Sequence, residues 1–244
     1  MPKFFTDPAD VGEGFIRLQG DDAAHIAKTL RMRPGDELTV CDGDNTDYCC
    51  RIRSMQPGTV EAEILSAAPC PAEPTLDAML CMALPKSDKL ELVVQKSVEL
   101  GIRRILVFRS AYCVPDPDPA SFEKRLLRLR RIAREAAGQS LRGRIPSVEG
   151  LYSYEEMLRR AAVCEMPLFF YERGGTPLKT LLDTHPYGSA AMVIGPEGGF
   201  SPEEHRIAEA AGLRTAHLGA RILRCETAAI CAAAAVMFHA NEFA

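Results

Sequence analysis

Up to about residue 72 the apolar positions alternate with polar ones over short stretches, at 14–18, 37–41, 47–53 and 59–65. A period of two sends successive side chains to opposite faces of a strand, so these stretches predict half-buried strands. Pro34-Gly35-Asp36, Asp42-Gly43-Asp44 and Pro57-Gly58 supply the turns between them, and one helix over 21–30 interrupts the series. The result is a small β-barrel or sheet. The proline-rich run 68–74 reads as a linker.

Beyond it the period changes. Residues 76–84 form an apolar strand; Asp88 stands at a helix start with Glu91 three residues on; Leu90, Val93, Val94 and Val98 make a buried stripe that stops at Gly101; 105–108 is the next strand. This is a βαβ unit. Further strands at 167–171, 190–194 and 215–218 alternate with helices, which predicts a mostly parallel sheet covered on both faces.

Two loops in this half carry the chemistry. In 193–199, an apolar strand enters Gly195-Pro196-Glu197-Gly198-Gly199, and Ser201, Pro202 and Glu204 then form a complete helix-start signal. Gly195, Gly198 and Gly199 would let a ligand reach the main chain. The second loop, 217–228, again follows a strand and enters a helix running from Glu226 to about His239. Two loops after two strands predict one shared crevice beyond the carboxyl ends of the sheet. Neither matches a nucleoside triphosphate or dinucleotide cradle. Arg221, Arg224 and Glu226 among Ile222 and Leu223 suit an adenosine-like ligand instead.

With 244 residues, 47% of them hydrophobic, the chain supports one large or two modest globular domains. No run reaches the roughly 20 apolar residues of a membrane helix, and acidic residues follow Met1-Pro2-Lys3-Phe4-Phe5 too soon for a secretory signal. A cytoplasmic location is expected. The nine cysteines are scattered, without a C-x-x-C pair, so neither a metal site nor a disulfide framework is expected. Cys225 lies in the second loop with no histidine near it in sequence, which disfavours a nucleophilic role.

A net charge of −4 argues against nucleic acid until its distribution is considered. Residues 121–144 hold eight basic side chains against Glu123 and Glu135, with Phe122, Leu126, Leu129, Ala133 and Ala136 at helical spacing. One face is buried, and the arginines, Arg128 and Arg131 among them, face outward. Charge runs commonly serve only solvation, but this one near a predicted crevice suits phosphate contacts.

Three motifs carry a family resemblance: 194–204; the run from Leu218 and Gly219 through Arg221, Ile222, Leu223, Arg224, Glu226, Thr227 and Ala228; and 83–89 with Gln95-Lys96, Glu99, Leu100 and Gly101. Together with Leu30-Arg31-Met32-Arg33 and Gly35-Asp36 they resemble the bacterial ribosomal small subunit methyltransferase E family, which are 16S rRNA uridine-N3 methyltransferases of the SPOUT superfamily. The pattern departs at Gly138, where a polar or charged residue is expected, and keeps Gln139 and Arg142.

The resemblance implies an α/β fold: a SPOUT-type domain over 73–244 with a carboxy-terminal trefoil knot, and a PUA-like RNA-binding β-barrel domain over 1–72. It implies S-adenosylmethionine at a homodimer interface, with the alanine-rich helix from Glu226 as the dimer element. The cofactor walls would be Leu168, Phe170 and Glu172; Ile194, Gly195, Gly198 and Gly199; and Leu218, Gly219, Ile222, Leu223 and Thr227. RNA contacts would come from Arg31, Arg33, Lys86, Arg128, Arg131, Gln139 and Arg142, with the small ribosomal subunit as partner and no metal. Uracil N3 is a weak nucleophile while protonated, so the expected catalytic groups are a base, Glu197 or Glu226, and a cation, Arg224. Two alternatives stay open: a non-catalytic RNA-binding assembly factor, and a SPOUT enzyme acting on tRNA or a ribose 2′-hydroxyl.

Overall fold

The computed structural model describes residues 2–243. The chain forms two compact units, one from the residues up to Glu73 with Ala137–Ile145, the other from Pro74–Ala136 and the residues from Pro146 onward. The sequence patterns give no hint that 137–145 returns to the first unit.

The first unit is a five-stranded sheet of β1 (Lys3–Phe5), β2 (Phe15–Gln19), β3 (Glu37–Cys41), β4 (Thr46–Gln56) and β5 (Thr59–Pro69), in the order β1-β3-β4-β5-β2. β1 runs parallel to β3 and the other pairs are antiparallel. No pair joins β1 to β2 among the described residues, where the sequence pattern allows a small barrel or a sheet. α1 (Gly20–Ala24) continues as a π-helix over His25–Thr29. Ile16 and Leu18, Leu38 and Val40, and Ile52 and Val60 turn the inward-facing sides of their strands into a core with Ile26. The expected linker is ordered structure instead. β5 runs to Pro69, Cys70 is buried with its N–H on the Asn45 carbonyl, and the Glu73 carboxylate is buried against Arg142.

Among the described residues the second unit contains seven strands: β6 (Asp77–Ala83), β7 (Arg104–Phe108), β8 (Ser147–Tyr152), β9 (Met166–Phe170), β10 (Thr176–Pro177), β11 (Ser189–Ile194) and β12 (Arg214–His217). Their order is β10-β12-β9-β11-β6-β7-β8, and every pair is parallel. Helices α2 (Lys89–Glu99), α3 (Pro119–Gln139), α4 (Tyr154–Ala161), α5 (Leu178–Leu182), α6 (Pro202–Ala210) and α7 (Cys225–His239) alternate with them, except that β10 follows β9 with no helix between. β6, β9 and β11 read as continuous apolar runs because strands at the centre of a parallel sheet are covered on both faces.

Several helix ends follow local chemistry. Ser201 and Glu204 form the full reciprocal capping box that starts α6, and Ser153 and Glu156 do the same for α4. Gly101, at a φ of +98°, ends α2 by turning its N–H and that of Ile102 back onto Val98 and Ser97. At the start of α2, Asp88 makes no side-chain cap and Glu91 does not reach back to it. Glu91 is drawn instead to Arg125, at 3.0 Å.

β9 lies between β11 and β12. Parallel strands end on the same edge, so the segments leaving these three meet there.

Candidate functional site

Three segments at that edge enclose a cavity of about 470 Å³, a size typical of small-molecule sites. Phe170, Tyr171 and Glu172 leave β9; Ile194 to Phe200 leave β11; His217 to Arg224 follow β12 and lead into α7. Ten of the twelve wall residues expected from sequence line it: Phe170 and Glu172; Ile194, Gly195, Gly198 and Gly199; Leu218, Gly219, Ile222 and Leu223. Glu197 and Arg224 line it too. Leu168 does not, being fully buried inside β9, and Thr227 is exposed outside the lining while its neighbour Ala228 takes part.

The glycines of the first loop are also required by the protein's own packing. A Cβ on Gly195 would lie 3.1 Å from two atoms of the Phe200 ring, and one on Gly198 3.0 Å from the Tyr112 Cβ. On Gly199, which has a φ of +68°, it would stand 2.6 Å from a Glu172 carboxylate oxygen. The missing side chains therefore make room for the protein itself. Phe200 is fully buried, 4.3 Å from Phe169 between ring centroids and stacked on Phe108 at 6.4 Å, so the loop is drawn onto the core.

Its far end is equally fixed. Glu204 Oε2 accepts the Ser201 N–H at 2.9 Å, Oε1 accepts the Ala111 N–H at 2.8 Å, and the Glu204 carbonyl accepts the Tyr154 hydroxyl at 2.7 Å. One carboxylate thus caps α6 and ties it to the segment after β7.

Charge is concentrated where α2, the first loop and α7 meet. Lys89 Nζ lies 2.8 Å from Glu197 Oε1 and 3.6 Å from Glu226 Oε2. Glu197 Oε1 also accepts the Lys86 N–H at 3.1 Å, and the Cys225 thiol donates to Glu226 Oε2 at 3.3 Å. Burial pushes both carboxyls upward, but it is outweighed: Lys89 and backbone N–H groups hold Glu197 below the usual carboxylate range, and its own N–H, the Cys225 thiol and Lys89 do the same for Glu226. The hydrogen bond to Glu197 raises Lys89. Burial, aided by the bond to Glu226, pushes Cys225 up to about 12, which makes it a poor nucleophile. Sequence reasoning missed Lys89 as a site residue, although it ends the Lys86-Ser87-Asp88-Lys89 run.

Arg224 occupies the N-cap position of α7 with extended backbone and no side-chain cap bond. Its side chain is exposed, and Ile222 nearby in the chain is 78% exposed.

The expected RNA contacts fall in both units. Arg31 and Arg33 are exposed in the first unit, and Lys86 is exposed in the second. On α3 the predicted apolar stripe is buried, while Arg128 and Arg131 are 56% and 72% exposed and make only loose contacts, at 3.9 Å to Glu91 and 3.7 Å to Glu135. Arg125 and Arg130 are engaged internally, with the Ser87 and Val148 carbonyls. Gln139 is exposed at the end of α3. Arg142 must be removed from the set: it is 2% exposed and paired through two 2.8 Å bonds with Glu73, which is equally buried. All nine cysteines are free, and no cluster of three potential metal ligands occurs among the described residues.

Residues 72–237 match the RNA methyltransferase domain family, and 18–65 the RNA methyltransferase PUA domain family. A ribosomal RNA small subunit methyltransferase E of Bacillus subtilis (strain 168) is 31% identical over 228 residues, covering 91% of this chain and 89% of the relative. One from Mycobacterium bovis is 33% identical over 239 residues, covering 96% and 90%. The crystal structure of a ribosomal RNA small subunit methyltransferase E from Neisseria gonorrhoeae bound to S-adenosyl methionine matches with a TM-score of 0.85 at 31% identity, over 98% of this chain and 97% of that one.

Proposed function

From the premise that this chain belongs to the ribosomal RNA small subunit methyltransferase E family, we propose that it methylates N3 of a uracil in 16S rRNA, using S-adenosylmethionine. The observation that carries this reading is the cavity at the ends of β9, β11 and β12, with Arg224 at its border. Its volume, its apolar Ile194, Leu218, Ile222 and Leu223, and its Glu172 carboxylate fit a ligand that joins a flat base to a charged amino acid. When bound, that cofactor supplies a methyl group already electrophilic on a sulfonium.

The chain's own task is to place the acceptor and favour loss of its N3 proton. Arg224 performs the electrostatic part, stabilising negative charge as it develops on the two carbonyl oxygens that flank N3. Glu197 and Glu226 are the carboxylates available to take the proton, but both are held ionised by Lys89 and their neighbours, which makes them weak bases. Arg31 and Arg33 of the first unit, with Lys86, Arg128, Arg131 and Gln139, contact the RNA, and the division into RNA-binding and catalytic domains falls near residue 72.

The same reading includes a trefoil knot formed by the segment from β12 into α7, as the family resemblance implies. It includes a homodimer built on α7, whose outer side presents Cys231 and a 72% exposed Phe238. It also places the enzyme in the cytoplasm with the small subunit; no described helix is long and apolar enough to cross a membrane.

The test is to incubate the protein with small subunits or 16S rRNA and S-adenosylmethionine, digest the RNA, and identify the methylated nucleoside by mass spectrometry. N3-methyluridine is the expected product. A ribose 2′-O-methyl product or methylation of tRNA alone would overturn the substrate, and absence of saturable cofactor heat in calorimetry would favour a non-catalytic assembly factor.

A further inference from the structure

Among the described residues Lys89 is the one cation that touches both Glu197 and Glu226 at the cavity, and it reaches them from a third chain segment, the first turn of α2. Glu197 belongs to the loop after β11, and Glu226 to the first turn of α7. All three side chains are largely shielded from water, at 24%, 26% and 16% exposure. Shielding strengthens both the attraction to Lys89 and the repulsion the two carboxylates would feel without it. The Lys86 N–H adds a second tie between the α2 entry and Glu197. Other titratable groups near this cluster include the Cys225 thiol, which donates to Glu226, and Cys113, which senses the Glu204 and Glu197 charges, while Glu172, His217, Arg221 and Arg224 line the same cavity.

We propose that Lys89 is a positioning residue, an ionic latch that holds the two cavity loops against one another and thereby pre-forms the cofactor pocket. This rests on the cofactor reading above but assigns Lys89 no contact with the reacting atoms. Its consequence is a specific pH signature. With Lys89 present, the carboxylates stay ionised and compensated across neutral pH, so the pocket is insensitive to pH there. Without it, two uncompensated carboxylates remain, and protonating or neutralising one relieves the strain.

The experiment compares the wild-type chain with Lys89→Met, Lys89→Arg and Lys89→Met/Glu197→Gln. S-adenosylmethionine affinity is read by calorimetry from pH 5.5 to 8, and amide hydrogen exchange is read on the ligand-free proteins. Lys89→Met should lose on the order of tenfold in affinity at pH 8 and recover part of it at pH 5.5. Arginine and the double variant should each restore part of the loss at pH 8. In the ligand-free Lys89→Met protein, amides at 196–199 and 225–228 should exchange faster than in the wild type while those of β6 and β11 do not. Unchanged affinity, or a loss that neither acid nor Glu197→Gln relieves, would overturn the latch. If wild-type protein bound no cofactor, the cofactor reading would fall, and the exchange rates of the two loops would still decide the latch.

Discussion

Replacing Glu73 by alanine should cost the first unit most of its stability. Its carboxylate is 2% exposed and accepts four bonds: from Arg142 Nε and Nη2, each at 2.8 Å, and from the Gly143 and Arg144 N–H groups at 3.1 and 3.2 Å. Removing one partner of a buried ion pair costs about 3–5 kcal/mol, because the remaining charge loses its counter-charge. Two backbone donors also lose their acceptor, at about 1–3 kcal/mol for each that stays dry. Water entering the vacated volume relieves part of both terms, so the expected loss is about 4 kcal/mol. Replacing the whole pair, Glu73→Leu with Arg142→Met, should recover most of that, since apolar groups of similar volume leave no charge unpaired. The assay is urea unfolding of the single and double variants, with the interaction energy taken from the cycle. If Glu73→Ala stayed within about 0.5 kcal/mol of the wild type, the buried pair would not hold 137–145 in place. If Arg142→Met weakened RNA binding at unchanged stability, Arg142 would return to the RNA-contacting set.

Arg224→Ala should depress single-turnover methylation at saturating RNA and cofactor by on the order of a hundredfold, with little change in cofactor affinity; a change confined to RNA affinity would make Arg224 a phosphate anchor. Reversing Arg128 and Arg131 to glutamate should weaken RNA binding and lower its salt slope by about 2 while sparing cofactor affinity, a slope that an RNA titration at several salt concentrations reads directly. Gly199→Ala should be more damaging to stability and cofactor binding than Gly219→Ala, because both sit at positive φ but only at Gly199 does a Cβ meet Glu172; equal thermal shifts would contradict this. Stability should also fall on both sides of neutrality. Glu197 and Glu226 are lowered, so their contribution is complete above the ordinary carboxylate pKa of 4.5 and is lost as pH falls through their folded values. Cys41, Cys50 and Cys225 are each raised by burial to about 12, so their contribution is complete below 9.0 and is lost as pH rises from there toward 12. Unfolding free energies measured from pH 3 to 11 should show that plateau between the two limbs.

Much of the second unit was legible because its signals are local. The apolar runs of β6, β9 and β11, the Ser201–Glu204 capping box and the two irregular loops each lie within a dozen residues. What was missed depends on partners distant in sequence. An arginine meeting a phosphate and one meeting a buried carboxylate look alike in a basic run, and Glu73 stands 69 residues from Arg142. The same holds for Asp88, whose predicted helix-start partner Glu91 is drawn away by Arg125. Within β9 every position is buried, so alternation could not tell Leu168 in the sheet interior from Phe170 at the cavity. β10 is two residues long, too short to express any period. The glycines of the first loop were recognised as necessary, but the atoms that require them, Phe200, Tyr112 and Glu172, could be identified only once the chain was folded.

The strand order also bears on how the protein is made. β6 meets β7 soon after it is synthesised, yet its other neighbour is β11, whose Ile194 aligns with Met82 about 110 residues earlier. A ribosome adding residues one by one leaves that apolar edge without its partner until β11 emerges, and the cavity cannot close before β12 and the start of α7 follow. Sheets assembled from such distant pairings fold slowly and expose sticky intermediates. A cell starved of folding assistance should therefore lose this protein to aggregation during synthesis sooner than it loses the finished molecule, and added cofactor, having no pocket to enter on the nascent chain, should not protect it.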